Sequence, residues 1–110
     1  MNDIFSVVYA SRAKKDLRGI YLYISSTLLA PLTAKNQVNR IRKIIRSLDV
    51  LPLRYPVVEL EPWKSMGMHR VTVDNYVIFY TVDCQSLLVT IIRIVYSGRD
   101  IANIALEVDE

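Results

Sequence analysis

The sequence predicts an α+β fold, with an N-terminal strand and an antiparallel helix hairpin packed on one face of an antiparallel β-sheet. Three runs rich in Val, Ile, Thr, Tyr and Phe follow one another between Met68 and Tyr96, separated by short polar breaks. Upstream, apolar residues recur every three or four positions on both sides of Pro31, as in two amphipathic helices. With 110 residues, the chain is expected to form one domain over residues 1–110.

The first half of the chain predicts one strand and two helices. A short strand is expected at Ile4–Tyr9, and Ser11 is a suitable N-cap for the first helix, as Thr33 is for the second. Because a short proline-containing turn separates the helices, an antiparallel hairpin is favoured, and its apolar side needs the sheet as a partner. The two apolar stripes comprise Ala13, Leu17, Ile20, Ile24 and Leu28 in the first helix, and Ala34, Val38, Ile41, Ile45 and Leu48 in the second.

The segment Pro52–Gly67 is predicted to be a structured loop, because it contains three prolines and a glycine. Trp63 and Lys64 within it are candidate residues for contact with a partner. The alternative interpretation of Trp63 is structural, with the ring pinning the loop onto the core.

The last third of the chain predicts three antiparallel strands in a meander, Met68–Val73, Tyr76–Val82 and Leu87–Tyr96. Strict alternation on the last strand places Leu88, Ile92, Ile94 and Tyr96 on one face, and Val89, Ile91, Arg93 and Val95 on the other. If the hairpin covers one face, the second face stays apolar and uncovered. Such a face on a small domain is expected to be a partner site or an oligomer interface.

Positive charge is concentrated in the two helices. Nine basic residues and one acidic residue lie between Arg12 and Arg46, whereas acids outnumber bases elsewhere in the chain. This asymmetry indicates either an anionic partner, such as a nucleic acid or an acidic protein segment, or a solvated helix face. Arg12, Lys14 and Lys15 in the first helical turn oppose the helix dipole, and this unfavourable choice indicates contact with a partner.

The sequence offers little conventional catalytic chemistry. It has no glycine-rich nucleotide motif and one histidine, His69, and its acids lack metal-ligand spacing, so no metal and no cofactor are predicted. Arg70, Arg93 and Arg99 lie within or just after the apolar strands, where each guanidinium needs an acid, a carbonyl group or a ligand. Internal pairing with Asp16 or Asp100 and recognition of a phosphate or a partner remain alternative interpretations.

Three segments of the sequence resemble the RelE/ParE toxin superfamily of bacterial type II toxin–antitoxin modules. They read AKKDLRGIYLYI at 13–24, MHRVTVDNYVIFY at 68–80 and IIRIVYSGRDI at 91–101. The resemblance implies the α+β fold described above and a cognate antitoxin, ParD-like or RelB-like, that forms a hetero-oligomer with the chain. The C-terminal segment of the antitoxin would cover the basic helices and the open sheet face.

The superfamily has two branches with different activities. RelE-like members are ribosome-dependent mRNA endonucleases whose sites use several Lys or Arg residues and often a C-terminal Tyr or His. Arg99 can be carried over from that set, and Arg70 sits near another of its basic positions, so these two would be the catalytic residues of a nuclease. A third family arginine is replaced by Val77, and the tail after Arg99 contains neither Tyr nor His. These departures favour the ParE-like branch, whose members inhibit DNA gyrase without a recognised catalytic set.

The main prediction is therefore a gyrase-inhibiting toxin. The alternatives are a ribosome-dependent mRNA endonuclease and a small basic nucleic-acid-binding module. The cytoplasm is the expected location, since the N-terminus does not resemble a signal peptide and no apolar run reaches the roughly 18 residues of a membrane span. The residues expected to contact the target or the antitoxin are Arg70, Arg93, Arg99, Trp63, Lys64, Arg12 and Lys15.

Overall fold

The computed structural model of the protein describes residues 3–98. Within these residues the regular elements, in chain order, are β1 (Ser6–Tyr9), α1 (Ser11–Leu22), α2 (Pro31–Arg46), β2 (His69–Val73), β3 (Tyr76–Asp83) and β4 (Leu88–Tyr96). The three predicted strands of the meander are confirmed to within one residue at each end. No helix among the described residues is long and apolar enough to cross a membrane.

The four strands form one sheet in the order β1-β4-β3-β2. The meander β2–β3–β4 is antiparallel as predicted, whereas β1 pairs with β4 in parallel, from Ser6 beside Leu88 to Tyr9 beside Ile91. The sheet is therefore mixed rather than wholly antiparallel. The parallel pair arises because the helix hairpin connects β1 to the rest of the sheet as a crossover, which returns the chain in the same direction.

The helix hairpin is confirmed, but its tip differs from the prediction. α1 continues into a π-helical turn at Tyr23–Thr27, and α2 begins at Pro31, with Ala30 and not Thr33 at the N-cap position. Proline is favoured at the first helical position because its missing N–H would be unsatisfied there in any case. Leu29, in the connection, has a φ of 54°, a left-handed conformation that is strained for a leucine.

The hairpin packs on one face of the sheet, here called the helix side. Its core joins apolar residues of both helices to alternate residues of the strands; the buried members are Ala13, Leu17, Val38, Ile41, Ile45, Leu48, Val71, Val73, Ile78, Tyr80, Val89, Ile91 and Ile94. The predicted packing of the hairpin on one sheet face is therefore confirmed.

The opposite face of the sheet, here called the loop side, is also covered, so the predicted open apolar face is wrong. Residues of the proline-containing loop, including Met68 just before β2, pack on residues of β3 and β4. Together they form a second core of Val58, Trp63, Met68, Val77, Phe79, Ile92 and Val95. The loop thus supplies the cover that the sequence left unassigned.

A β-bulge in β4 explains why strict alternation fails on this strand. Tyr80 lies beside Ile91 and Phe79 lies beside Arg93, so Ile92 is the additional residue. Val89, Ile91 and Ile94 consequently reach the helix side, whereas Ile92 and Val95 reach the loop side. A single inserted residue reverses the faces of all residues that follow it.

Candidate functional site

Arg93 was predicted to contact a partner, but the structure places its guanidinium inside the protein. The residue is 2% exposed. Its Nε lies 2.7 Å from one carboxylate oxygen of Asp16, and its Nη2 lies 3.1 Å from the other. The alternative prediction of an ion pair with Asp16 is confirmed, and Asp100 lies outside the described residues. A buried cation needs such a partner because leaving the charge unpaired away from water is costly.

Trp63 is fully buried, so its prediction as an exposed contact is also wrong. Its ring centroid lies 4.3 Å from that of Phe79 on the loop side, which confirms the alternative that the ring pins the loop to the core. Among the described residues its Nε1 finds no hydrogen-bond partner. Lys64 next to it is exposed and forms a 3.7 Å ion pair with the exposed Glu59, an interaction of small energetic weight.

Arg70 is the strand arginine that stays accessible. It lies half-buried on β2 beside Phe79, which in turn lies beside Arg93, so the register places the two arginines on either side of the same β3 residue. Within residues 3–98, the side chain of Arg70 forms neither a hydrogen bond nor an ion pair. Arg99, the other residue carried over from the resemblance, lies outside the described residues. Arg70 is therefore the candidate of this pair whose surroundings the structure describes.

His69 and Tyr80 are the groups near Arg70 that could transfer protons, and both are already engaged. The two rings stack with centroids 5.3 Å apart. His69 Nδ1 lies 2.8 Å from the carbonyl oxygen of Tyr55, so that nitrogen is assigned as the donor. The Tyr80 hydroxyl donates to the carbonyl oxygen of Pro52 over 2.6 Å, and burial raises the pKa of Tyr80 to about 12. These contacts anchor the loop to the sheet.

A groove of about 730 Å³ runs between the two helices and is here called the hairpin groove. Its cations come from both walls, with Lys14 and Arg18 on α1 and Lys35 and Arg42 on α2. The other lining residues are Tyr9, Leu17, Tyr21, Val38 and Asn39. Burial raises the pKa of Tyr9, while the positive charges of Arg42 and Arg46 act in the opposite direction. The basic helical span predicted from the sequence therefore converges partly on one groove.

A second groove, of about 810 Å³, lies between α1 and the ends of β3 and β4. Three tyrosines line it, Tyr23, Tyr76 and Tyr96, and the last two pack edge to face with centroids 6.1 Å apart. Lys15 also lines this groove, whereas Arg12 is half-buried in the first turn of α1. Sequence reasoning missed the tyrosines because they come from three elements and form no sequence motif.

An exposed apolar patch at the end of the hairpin, here called the leucine tip, was also missed. It comprises Leu22, Leu28, Leu29 and Leu32, which are between 46% and 81% exposed. Leu28 was predicted to lie in the buried stripe of the first helix, and this prediction is wrong, because the residue is 55% exposed. The α-helical spacing that predicts which residues are buried no longer applies where the chain passes from the α-helix into the π-helical turn.

Comparisons with known proteins place the chain among toxins. The family model for the ParE toxin of the type II toxin–antitoxin system parDE matches residues 7–101. The chromosomal ParDE toxin–antitoxin system from P. aeruginosa is similar in structure, with a TM-score of 0.69 and 20% identity over 84% of this chain and 96% of that chain.

Two RelE-type structures are similar as well. The toxin–antitoxin complex RelBE2 from Mycobacterium tuberculosis has a TM-score of 0.62 and 17% identity over 88% of this chain and 95% of that chain. The archaeal RelE–RelB complex from Pyrococcus horikoshii has a TM-score of 0.61 and 17% identity over 88% of this chain and 99% of that chain. None of the curated proteins matches the chain. At these identities the structural likenesses establish the fold.

Proposed function

The chain belongs to the ParE toxin family of type II toxin–antitoxin systems, and from this membership we propose that it inhibits DNA gyrase. The match over residues 7–101 carries the proposal, because it covers both helices and all four strands except for Ser6, the first residue of β1. The ParE-like branch of the superfamily inhibits gyrase without a recognised catalytic set. Inhibition would therefore occur by direct contact between the toxin and the enzyme.

The surroundings of Arg70 support binding over catalysis. A nuclease needs groups that are free to move protons and to stabilise charge in the transition state. Among the described residues near Arg70, His69 and Tyr80 are engaged with backbone carbonyls, and Arg93 is paired with Asp16. Arg70 is half-buried and has no partner within residues 3–98, so it is suited to contact a carboxylate on the target.

A supercoiling reaction tests the proposal. Adding the purified chain to gyrase, ATP and relaxed plasmid is expected to reduce supercoiling and to trap broken DNA. Arg70→Ala should weaken this inhibition, because it removes a cation on the loop side. Arg46→Ala is the matched control, since Arg46 is an exposed arginine on α2, on the helix side of the sheet. Unchanged supercoiling with the unmodified chain would overturn the proposal.

The antitoxin is proposed to neutralise the toxin by covering exposed apolar surface together with nearby positive charge. The sheet faces are both covered, so the leucine tip takes the place of the open sheet face that was expected to receive the antitoxin. No acidic residue occurs between Leu17 and Leu48, a span that includes the tip. An antitoxin segment with apolar anchors and acidic neighbours is complementary to this surface.

A ribosome-dependent mRNA endonuclease remains the second candidate, favoured by the structural similarity to RelE-type complexes and by the accessibility of Arg70. Incubating the purified chain with translating ribosomes and a defined message tests it. Codon-dependent cleavage that is lost in Arg99→Ala would replace the gyrase proposal, whereas an intact message would leave gyrase as the target.

A further inference from the structure

The hairpin groove concentrates positive charge. The proposed contact between Arg70 and gyrase does not explain this charge. Lys14, Arg18, Lys35 and Arg42 are all exposed, and they occupy both walls of the groove. Within residues 3–98 none of the four forms a hydrogen bond or an ion pair. The described residues that line the groove include no carboxylate. Like charges on facing walls repel each other, so an anion bound between them would be stabilised.

Arg40, a cation of α2 outside the hairpin groove, does have an acidic partner. Its Nε lies 2.8 Å from a carboxylate oxygen of Asp74, which also accepts a hydrogen bond from Gln37 over 2.9 Å. These two hydrogen bonds, with Arg40 contributing most, lower the pKa of the Asp74 carboxyl. The cations of the hairpin groove have no such neighbour, although they lie on the same helices. The groove is therefore the part of the basic surface that is open to an external anion.

The cations on both walls favour a phosphodiester backbone as the anion that the groove binds. Leu17 and Val38, at the floor, are only 6% and 7% exposed, so a ligand meets mainly the side chains of the walls. The exposed groups are ammonium and guanidinium ions with the amide of Asn39 and the ring of Tyr21. A positively charged groove with aromatic rings is the usual arrangement for following a nucleic-acid strand. Lys14 and Arg18 are separated by about 6 Å along the helix axis. This spacing lets both side chains face the row of phosphates of one nucleic-acid strand.

We propose that the hairpin groove binds the phosphodiester backbone of a nucleic acid. Phosphate contacts from lysine and arginine give affinity without base recognition, so the binding is independent of sequence. The proposal does not rest on the inhibition of gyrase, because it requires no third component.

Fluorescence anisotropy with the full purified chain tests the proposal. The probes are labelled duplex DNA, single-stranded DNA and RNA of equal length. The probe that binds with the highest affinity identifies the preferred type of nucleic acid. Four duplex phosphate contacts predict a slope of about −3.6 in a plot of log affinity against log salt, or roughly a hundredfold loss between about 50 and about 200 mM salt. The double variant Lys14→Gln/Lys35→Gln should reduce the slope to about −1.8.

The matched control is Lys43→Gln/Arg46→Gln, which also removes two exposed cations from the hairpin but none that lines the hairpin groove. It is expected to bind almost as tightly as the unmodified chain. An equal loss of affinity in both double variants would show that net charge, and not the hairpin groove, is responsible for binding, and this would overturn the proposal. Absence of binding at low salt would overturn the proposal, as would polyglutamate displacing the probe better than unlabelled nucleic acid at equal charge. Circular dichroism of both variants confirms that they are folded.

Discussion

Asp16 connects α1 to β4, one of the two inner strands of the sheet. β1 pairs with β4 only as far as Ile91, so the amide of Ile94 on the same edge has no strand to bond with. Asp16 takes the place of the missing strand, because one of its oxygens accepts this amide over 2.9 Å as well as the Nε of Arg93 over 2.7 Å. One carboxylate thus satisfies an edge amide and a buried cation together.

Replacing Asp16 by Asn is expected to lower the free energy of unfolding by about 3 kcal/mol, because Arg93 would keep its charge without a buried anion. Urea denaturation measures this change. Glu59→Gln is the control, since its ion pair with Lys64 is exposed and should change the value by less than about 0.5 kcal/mol. Similar urea midpoints for the two variants would contradict the assigned role of Asp16.

Tyr80 makes stability depend on alkaline pH. Burial raises its pKa in the folded chain from 10.0 to about 12, so between these values the unfolded chain loses the proton and the folded chain retains it. The unfolded state then binds fewer protons, and stability falls as the pH rises. The contribution is complete below pH 10 and is lost as the pH approaches 12.

The expected outcome is a decrease in the urea midpoint between pH 10 and pH 12 that is smaller in Tyr80→Phe. The variant lacks the hydroxyl that donates to Pro52, so it should already be less stable at pH 8. Tyr9 and Tyr76, whose pKa values burial also raises, remain in both proteins and cancel in the comparison. An equal decrease in both proteins would show that Tyr80 is not the group responsible.

At the scale of elements, the connection between α1 and α2 combines strain with exposed apolar surface. Leu29 is 81% exposed and has a φ of 54°. Asparagine tolerates this conformation better than leucine, so Leu29→Asn is expected to stabilise the protein by up to about 1 kcal/mol. The same change should weaken neutralisation by the antitoxin, because it removes an apolar anchor from the leucine tip.

Thermal unfolding and a titration of growth rescue by co-expressed antitoxin measure the two effects. Leu53→Asn is a control for the loss of an exposed leucine elsewhere, since Leu53 is 56% exposed in the loop before β2. A rescue titration that is unchanged in Leu29→Asn would exclude the leucine tip as the antitoxin surface. A higher melting temperature combined with full rescue would separate strain from binding.

Local periodicity predicted the elements well and their faces less well. The helices and the three meander strands are recoverable because each repeats with its own period over several residues. The bulge at Ile92 is not recoverable, since it depends on how β4 pairs with β3 and not on β4 alone. The parallel position of β1 likewise depends on a pairing between residues about eighty positions apart in the sequence.

Across the whole molecule, the distribution of charge was easier to predict from the sequence than the packing of the loop on the sheet. The concentration of positive charge in the helices could be counted from the sequence, but only the structure shows that Arg40 is neutralised while the hairpin groove is not. Arg93 was correctly identified as needing a partner, and Asp16 was one of the two acids proposed, whereas Arg70 has no side-chain partner within residues 3–98. That both sheet faces are covered could not be predicted, because the loop before β2 has no periodicity to indicate where it packs.

The sheet order also constrains how the protein is made. β4 lies between β1 and β3, yet it is the last of the four strands to be synthesised. Until Leu88 and the residues after it leave the ribosome, β1 has no neighbouring strand and the core on the helix side lacks Val89, Ile91 and Ile94. Long-range pairing of this kind delays folding until the chain is nearly complete. We therefore expect a chain that stops at residue 87 to be harmless when expressed without antitoxin, as plating efficiency would show.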